Sequence, residues 1–168
     1  LAKYYEVGEE YTGAFDWLNK NTPKDSVVLS PSFIVSANIP LRTHNKVYLV
    51  NGFDSAAPDC ELVHRGLIAM KLFNVTQEKI FNRDATQLTS AVSLPTYLFH
   101  MRYYPEVPEN LKQNLIRLYE LLKVDLNDLL QYKLDYIILG KKEKQMGAKM
   151  VNIPTQKVYT NEDLEIYK

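Results

Sequence analysis

Three histidines, one cysteine and a scatter of carboxylates are the side chains of this chain with catalytic potential. His44, His64 and His100 form no His-Glu-x-x-His pattern or other close metal spacing, so a zinc site would need ligands from distant segments. Cys60 and His64 stand four residues apart, which puts a thiol and an imidazole on one helix face. Nucleophile and base are normally drawn from separate segments, so the thiol reads as incidental. The carboxylates Asp16, Asp54, Asp59, Glu61, Asp84, Asp135 and Glu143 show no pairing of the kind glycoside hydrolysis needs. Ser30-Pro31-Ser32 follows the first predicted strand, where a dinucleotide fold would carry Gly-x-Gly-x-x-Gly, and no Walker lysine motif is present.

With no catalytic motif to fix a site, topology supplies a location. In open parallel sheets ligands bind beyond the carboxyl ends of the strands. That rule gathers Ser30, Ser32, Arg42, Thr43, His44, Asn51, Asp54, Lys141 and Glu143. Ser30, Ser32, Arg42, His44, Asn51, Asp54, Lys141 and Glu143 are the candidate ligand-binding residues, with Arg42 and Lys141 as the cations for an anionic group. No catalytic residue and no metal ligand is assigned. Two short motifs stand apart from this set. Asn74-Val75-Thr76 matches the acceptor pattern for N-glycosylation, and Lys141-Lys142-Glu143-Lys144 is a basic run that reads as a solvated turn.

The elements that must position these groups are legible in stretches. Tyr11, Ala14, Phe15 and Leu18 recur at helical spacing and predict a helix over about 9–20, ended by Thr22-Pro23. Ser26 to Leu29 is a short β-branched run without alternation, as in a strand covered on both faces. Lys46 to Val50 predicts a second strand, stopped by Asn51-Gly52. Leu62, Val63, Leu67 and Met70 predict a helix opening at Pro58 or Asp59 and running to about Phe73. Leu111, Leu115, Leu118 and Leu122 mark another helix, and Asp125 caps a short one bearing Leu126, Leu129 and Leu130. Tyr136 to Leu139 is a buried strand with Gly140 as its exit. Residues 156–160 and 164–167 pair as an antiparallel edge hairpin across Asn161-Glu162-Asp163. Between Asn74 and Tyr104, Pro95 and the aromatics Tyr97, Phe99, Tyr103 and Tyr104 suggest only a packed excursion. The alternation of strands and helices predicts an α/β fold with a mainly parallel central sheet flanked by helices.

Composition bounds what such a fold does. The chain has 168 residues, 46% hydrophobic, enough for one domain over residues 1–168 with a sizeable core. Twenty basic and twenty acidic side chains cancel, which leaves no field for a nucleic-acid backbone. The single cysteine excludes an internal disulfide. No stretch approaches the roughly 20 apolar residues that cross a bilayer. The start at Leu1, without Met or a signal-peptide pattern, reads as an excised or processed piece of a larger chain.

Five segments in order carry a family likeness: Trp17-Leu18-Asn19-Lys20-Asn21-Thr22-Pro23, the strand Val27 to Ser30, the return Thr43-His44-Asn45-Lys46-Val47-Tyr48, the helix Leu62 to Phe73, and Asp135-Tyr136-Ile137-Ile138. Their order and spacing resemble the soluble C-terminal domain of polytopic membrane proteins of the GT-C glycosyltransferase type, which include oligosaccharyltransferase catalytic subunits. Those subunits carry Trp-Trp-Asp-Tyr-Gly after the first strand. This chain has Ser30-Pro31-Ser32-Phe33-Ile34 there, so the likeness is to the broader class. The resemblance implies an extracytoplasmic, membrane-tethered accessory domain that packs over a membrane-embedded active site and contacts a sugar or protein acceptor. It further implies that any divalent metal and lipid-phosphate sugar donor belong to the membrane-spanning part of the same chain, with no cofactor in this piece. The alternatives are a freestanding small-molecule-binding α/β module and a small soluble enzyme.

Overall fold

The computed structural model describes residues 7–49, 57–77, 109–145, 147–150 and 153–168. Asn51, Asp54, His100 and the aromatic stretch around Tyr97 to Tyr104 lie outside the described residues. Helix α1 spans Thr12–Asn21 and is preceded by a 3₁₀ turn, Glu9–Tyr11. Strand β1 is Val27–Leu29, α2 is Phe33–Arg42, and β2 is Lys46–Val47. Then come α3, Asp59–Leu72, α4, Glu109–Leu121, and α5, Leu126–Gln131. Strand β3, Tyr136–Gly140, leads into α6, Lys141–Gln145, and the hairpin β4, Lys157–Thr160, with β5, Leu164–Tyr167, closes the chain.

The five strands form one sheet in the order β2-β1-β3-β5-β4. β1 pairs in parallel with both β2 and β3, with Val28 opposite Val47 on one side and Tyr136 on the other. β5 pairs antiparallel with β3 and β4. The sheet is therefore mixed, two parallel and two antiparallel pairings, rather than mainly parallel as the alternation predicts. The physical reason is local: three-residue turn chemistry at Asn161 to Asp163 permits only an antiparallel return, and β5 rather than β4 takes the place beside β3. Asn161 Oδ1 accepts from the Asp163 and Leu164 amides at 2.9 and 2.8 Å, which fixes that turn.

Successive side chains of the central strands point to opposite faces, and each face has its own apolar layer. Val28, Tyr136, Ile138, Leu164 and Ile166 join Tyr11, Ala14, Phe15 and Leu18 of the first helix and its leading turn, together with Val35 and Ile39 of α2. Val27, Leu29, Ile137 and Leu139 face the other way, against α3 and the buried residues Leu115, Tyr119 and Leu129 of α4 and α5. Burial on both faces explains why β1 and β3 read as unbroken apolar runs. Trp17 lies at the rim of the first layer, edge-on to Tyr136 and tilted against Tyr159.

Helix α2 has no counterpart among the elements predicted from the sequence, and Pro40 and Ser36 lower the helix propensity of its segment. Ser32 caps it, its hydroxyl accepting from the Val35 amide at 3.4 Å. The Ser36 hydroxyl donates to the Ser30 carbonyl at 3.2 Å, binding the first turn back to the strand. Pro40 falls in the last turn, where only two helical residues follow it. Inward-facing Val35 and Ile39, four residues apart and buried, supply what propensity does not. At about 1.5 Å per residue the ten-residue helix carries the chain about 15 Å, from the carboxyl end of β1 back to the amino end of β2.

Candidate functional site

That return decides where the candidate residues lie. β2 sits on one side of β1 and β3 on the other, so the connection reverses direction at β1 and the parallel β1/β3 pair forms a topological switch point at its carboxyl end. Four of the candidate residues gather there: Ser30 and Ser32 after β1, and Lys141 and Glu143 after β3. Arg42 and His44 do not. They flank the start of β2, at the amino end of the sheet, where the His44 carbonyl accepts from the Asp25 amide just before β1. Arg42 and Lys141 therefore stand at opposite ends of the sheet, and the expectation that both cations hold one anionic group is corrected. The cause is the unread helix α2: without it, residues 42–44 seem to follow β1 directly.

At the amino end, the polar groups hold elements together. Asn19 of α1 donates from Nδ2 to the Arg42 carbonyl at 2.9 Å and accepts from the His44 amide at 3.0 Å. His44 Nε2 lies 3.0 Å from the Thr22 carbonyl, and the Thr22 hydroxyl donates to the Leu18 carbonyl at 2.7 Å. Arg42 donates to Asn38 Oδ1 at 3.2 Å, and its guanidinium lies 5.9 Å from the centre of the Phe15 ring. These contacts lock the end of α1 to the start of β2.

At the carboxyl end, Ser30 Oγ accepts from the Ser32 amide at 3.1 Å, so both serines serve the turn into α2. Lys141 is exposed, and its amide donates to the Asp163 carbonyl. Glu143 is the exception to the basic run read as a solvated turn. It is 4% exposed, and Oε1 accepts from the Tyr11 hydroxyl at 2.6 Å, while Oε2 has no hydrogen-bond partner among the described residues. Burial, followed by the adjacent Glu143 charge and that hydrogen bond, pushes the Tyr11 hydroxyl well above its usual range, so it remains a donor. Gly140 makes room for the pair, because a β-carbon there would collide with Glu143 Oε2 and the Tyr11 hydroxyl. The closure of this corner depends on a residue 132 positions away in sequence, which no spacing signal reveals.

A second cluster surrounds His64, which shares a face of α3 with Cys60 as their spacing predicts. Arg65 lies 4.8 Å from the Tyr132 ring centre and 5.5 Å from that of Tyr48, pairs with Glu61 at 2.5 Å, and donates to the Tyr48 carbonyl at 3.1 Å. His64 Nδ1 is 2.7 Å from the Tyr132 hydroxyl. Beside it, Cys60, Val63, His64 and Leu67 of α3 face Leu118, Leu121 and Leu122 across a cavity of about 400 Å³. Its walls are apolar, and Leu118 and Leu121 are 52% and 69% exposed at the rim. The i, i+4 spacing of Cys60 with His64 and of Glu61 with Arg65 is the local signal for this cluster; its partners on α4 and at Tyr132 have none.

Among the described residues no group of three or more His, Cys, Asp or Glu side chains is placed to hold a metal ion. No helix among them is long and apolar enough to cross a membrane. Comparison with protein-family models, with curated proteins and with solved structures finds no match for this chain.

Proposed function

We propose that this chain is an accessory domain of a membrane-embedded glycosyltransferase-like protein, held at the extracytoplasmic face by the membrane-spanning part of the same polypeptide. In this reading it packs over the membrane active site and contacts a sugar or protein acceptor, while the metal and lipid-phosphate donor are held by the membrane segments. One observation carries the reading. The segments that give the chain its GT-C likeness are bonded to one another: in the Trp-Leu-x-x-Asn-Thr-Pro segment the Thr22 carbonyl lies 3.0 Å from His44 Nε2 of the return, and the Thr22 hydroxyl lies 3.1 Å from Asn45 Oδ1 of the return. In the same way Asp135 Oδ2, heading the Asp-Tyr-Ile-Ile strand, accepts from the Val27 amide at 2.8 Å where β1 starts. Thr22 and Asp135, two residues of the pattern, thus take part in assembling it, and this supports the reading.

The test is the identity of the native polypeptide that contains residues 1–168. Its sequence, read by mass spectrometry of the protein purified from its source, is expected to include several apolar spans of about 20 residues. A native chain without such spans refutes the reading.

The alternative of a freestanding small-molecule-binding module draws on the apolar cavity between α3 and α4. That alternative predicts saturable binding of an aliphatic probe that Leu67→Phe blocks by filling the cavity. The accessory-domain reading predicts no saturable binding of a free aliphatic molecule.

A further inference from the structure

We propose that Asn74 is an acceptor for an N-linked glycan in the native protein, an inference that rests on the extracytoplasmic reading above. Asn74-Val75-Thr76 is the single Asn-x-Ser/Thr tripeptide in the chain. It falls on the turn that ends α3. The Asn74 amide donates to the Lys71 carbonyl at 3.0 Å and the Val75 amide to the Met70 carbonyl at 2.9 Å, the paired bonds of a Schellman motif. Asn74 has φ of 54°, the left-handed region that this position requires. Two neighbours fix the turn from outside: Lys149 donates its amide to the Phe73 carbonyl at 3.2 Å, and the Tyr119 hydroxyl of α4 donates to the Val75 carbonyl.

Every one of these contacts uses main-chain atoms of residues 70–75. The turn therefore leaves the Asn74 carboxamide outside its own bonding. Asn74 and Thr76 are exposed while Val75 between them is half-buried, so acceptor amide and recognition hydroxyl both face out from a firmly held backbone. A saccharide on the Asn74 carboxamide would break none of the hydrogen bonds that form the α3 cap. The left-handed geometry by itself accounts for an asparagine or a glycine at position 74. It does not account for an exposed threonine two residues later.

The transfer is carried out on Asn74 by the cell's own oligosaccharide transferase. Asn74 Nδ2 forms a bond to the anomeric carbon of a lipid-linked oligosaccharide, the bond from that carbon to the phosphate oxygen breaks, and the amide proton is lost to a base as the lipid phosphate departs. No oxidant or further reactant is needed.

Peptide mapping of the native protein by mass spectrometry tests the inference. A peptide containing Asn74 that carries saccharide mass is expected, and an unmodified Asn74 peptide overturns it. A second arm separates the two ways of failing: the chain is secreted behind a leader from a glycosylating eukaryotic host, and its electrophoretic mobility is compared with that of three variants. Thr76→Ser should keep the slow-migrating band, whereas Thr76→Ala and Asn74→Gly should lose it. Asn74→Gly retains the left-handed backbone, so it removes the acceptor while preserving the fold, as circular dichroism would verify. An unmodified secreted chain refutes the site itself. A modified secreted chain beside an unmodified native one refutes the extracytoplasmic placement, and with it the native modification.

Discussion

Tyr11, Glu143 and Gly140 show how much a single buried polar contact decides. Glu143 has one oxygen that accepts from the Tyr11 hydroxyl and one without a partner among the described residues. Removing the donor leaves a buried carboxyl group wholly unsatisfied, so Tyr11→Phe is expected to destabilise the protein by about 1–3 kcal/mol. A urea melt of the variant checks this, and an unchanged midpoint would show that the corner is not closed by this bond. Asp135 does comparable work at the other end of the β1/β3 pair, and Asp135→Ala should cost about 1.5–3 kcal/mol through its charged bond to the Val27 amide. Loss of that much is readable in the same melt. Glu165 carries a pH dependence. Its partial burial pushes the carboxyl up, but hydrogen bonds from Lys144, Lys157 and Tyr167 outweigh burial and hold it at about 2, below the ordinary 4.5. Because the folded group is depressed, the unfolded chain binds more protons between those values, and stability rises with pH there. The contribution is complete above about pH 4.5 and is lost as the pH falls toward 2. Acid titration of the melting temperature should show a shallower decline for Glu165→Gln. An identical profile would remove Glu165 from the account.

Among the elements, those with a regular apolar repeat were legible in the sequence. The Tyr11, Ala14, Phe15 and Leu18 stripe is buried as its spacing predicts, and α3, α4 and α5 fall where their leucines place them. The cap at Asp125 is a capping box with Asp128, its Oδ1 accepting from Asn127 and Asp128 amides at 2.7 and 3.1 Å. Phe15 is 3% exposed within the first layer, so Phe15→Ala is expected to cost about 3–5 kcal/mol. A urea midpoint that stays put would mean that α1 does not pack on the sheet. What escaped reading was α2 and α6. In α2 Ser36, Asn38 and Pro40 suppress propensity, and the helix exists because Ser32, Ser36 and two inward aliphatic residues bind it to β1. In α6 the sequence is a run of charges, and Glu143 turns inward toward a tyrosine supplied by the far end of the chain. Local sequence carries propensity and period. It does not carry the tertiary partner that overrides them.

For the molecule as a whole, the α/β character and the closing hairpin were readable, whereas the balance of parallel and antiparallel strands was not. One missed helix also displaced the candidate site. Ser30, Ser32, Lys141 and Glu143 share an end of the sheet, but Arg42 and His44 were carried by α2 to the opposite end, where they join α1 to β2. The apolar cavity between α3 and α4 and the Arg65 cluster arise from helices far apart in sequence, so no motif announced them. The proposed tethering of this chain over a membrane, at the extracytoplasmic face, is open to direct test. The most direct measurement follows the native polypeptide with an antibody against residues 109–131 through cell fractionation and protease shaving of intact, wall-stripped cells. The account predicts that the antigen sediments with membranes, resists carbonate extraction, and is digested from outside while a cytoplasmic marker survives. Recovery of a 19.5 kDa chain in the soluble fraction, or a membrane antigen protected until the cells are lysed, would contradict it.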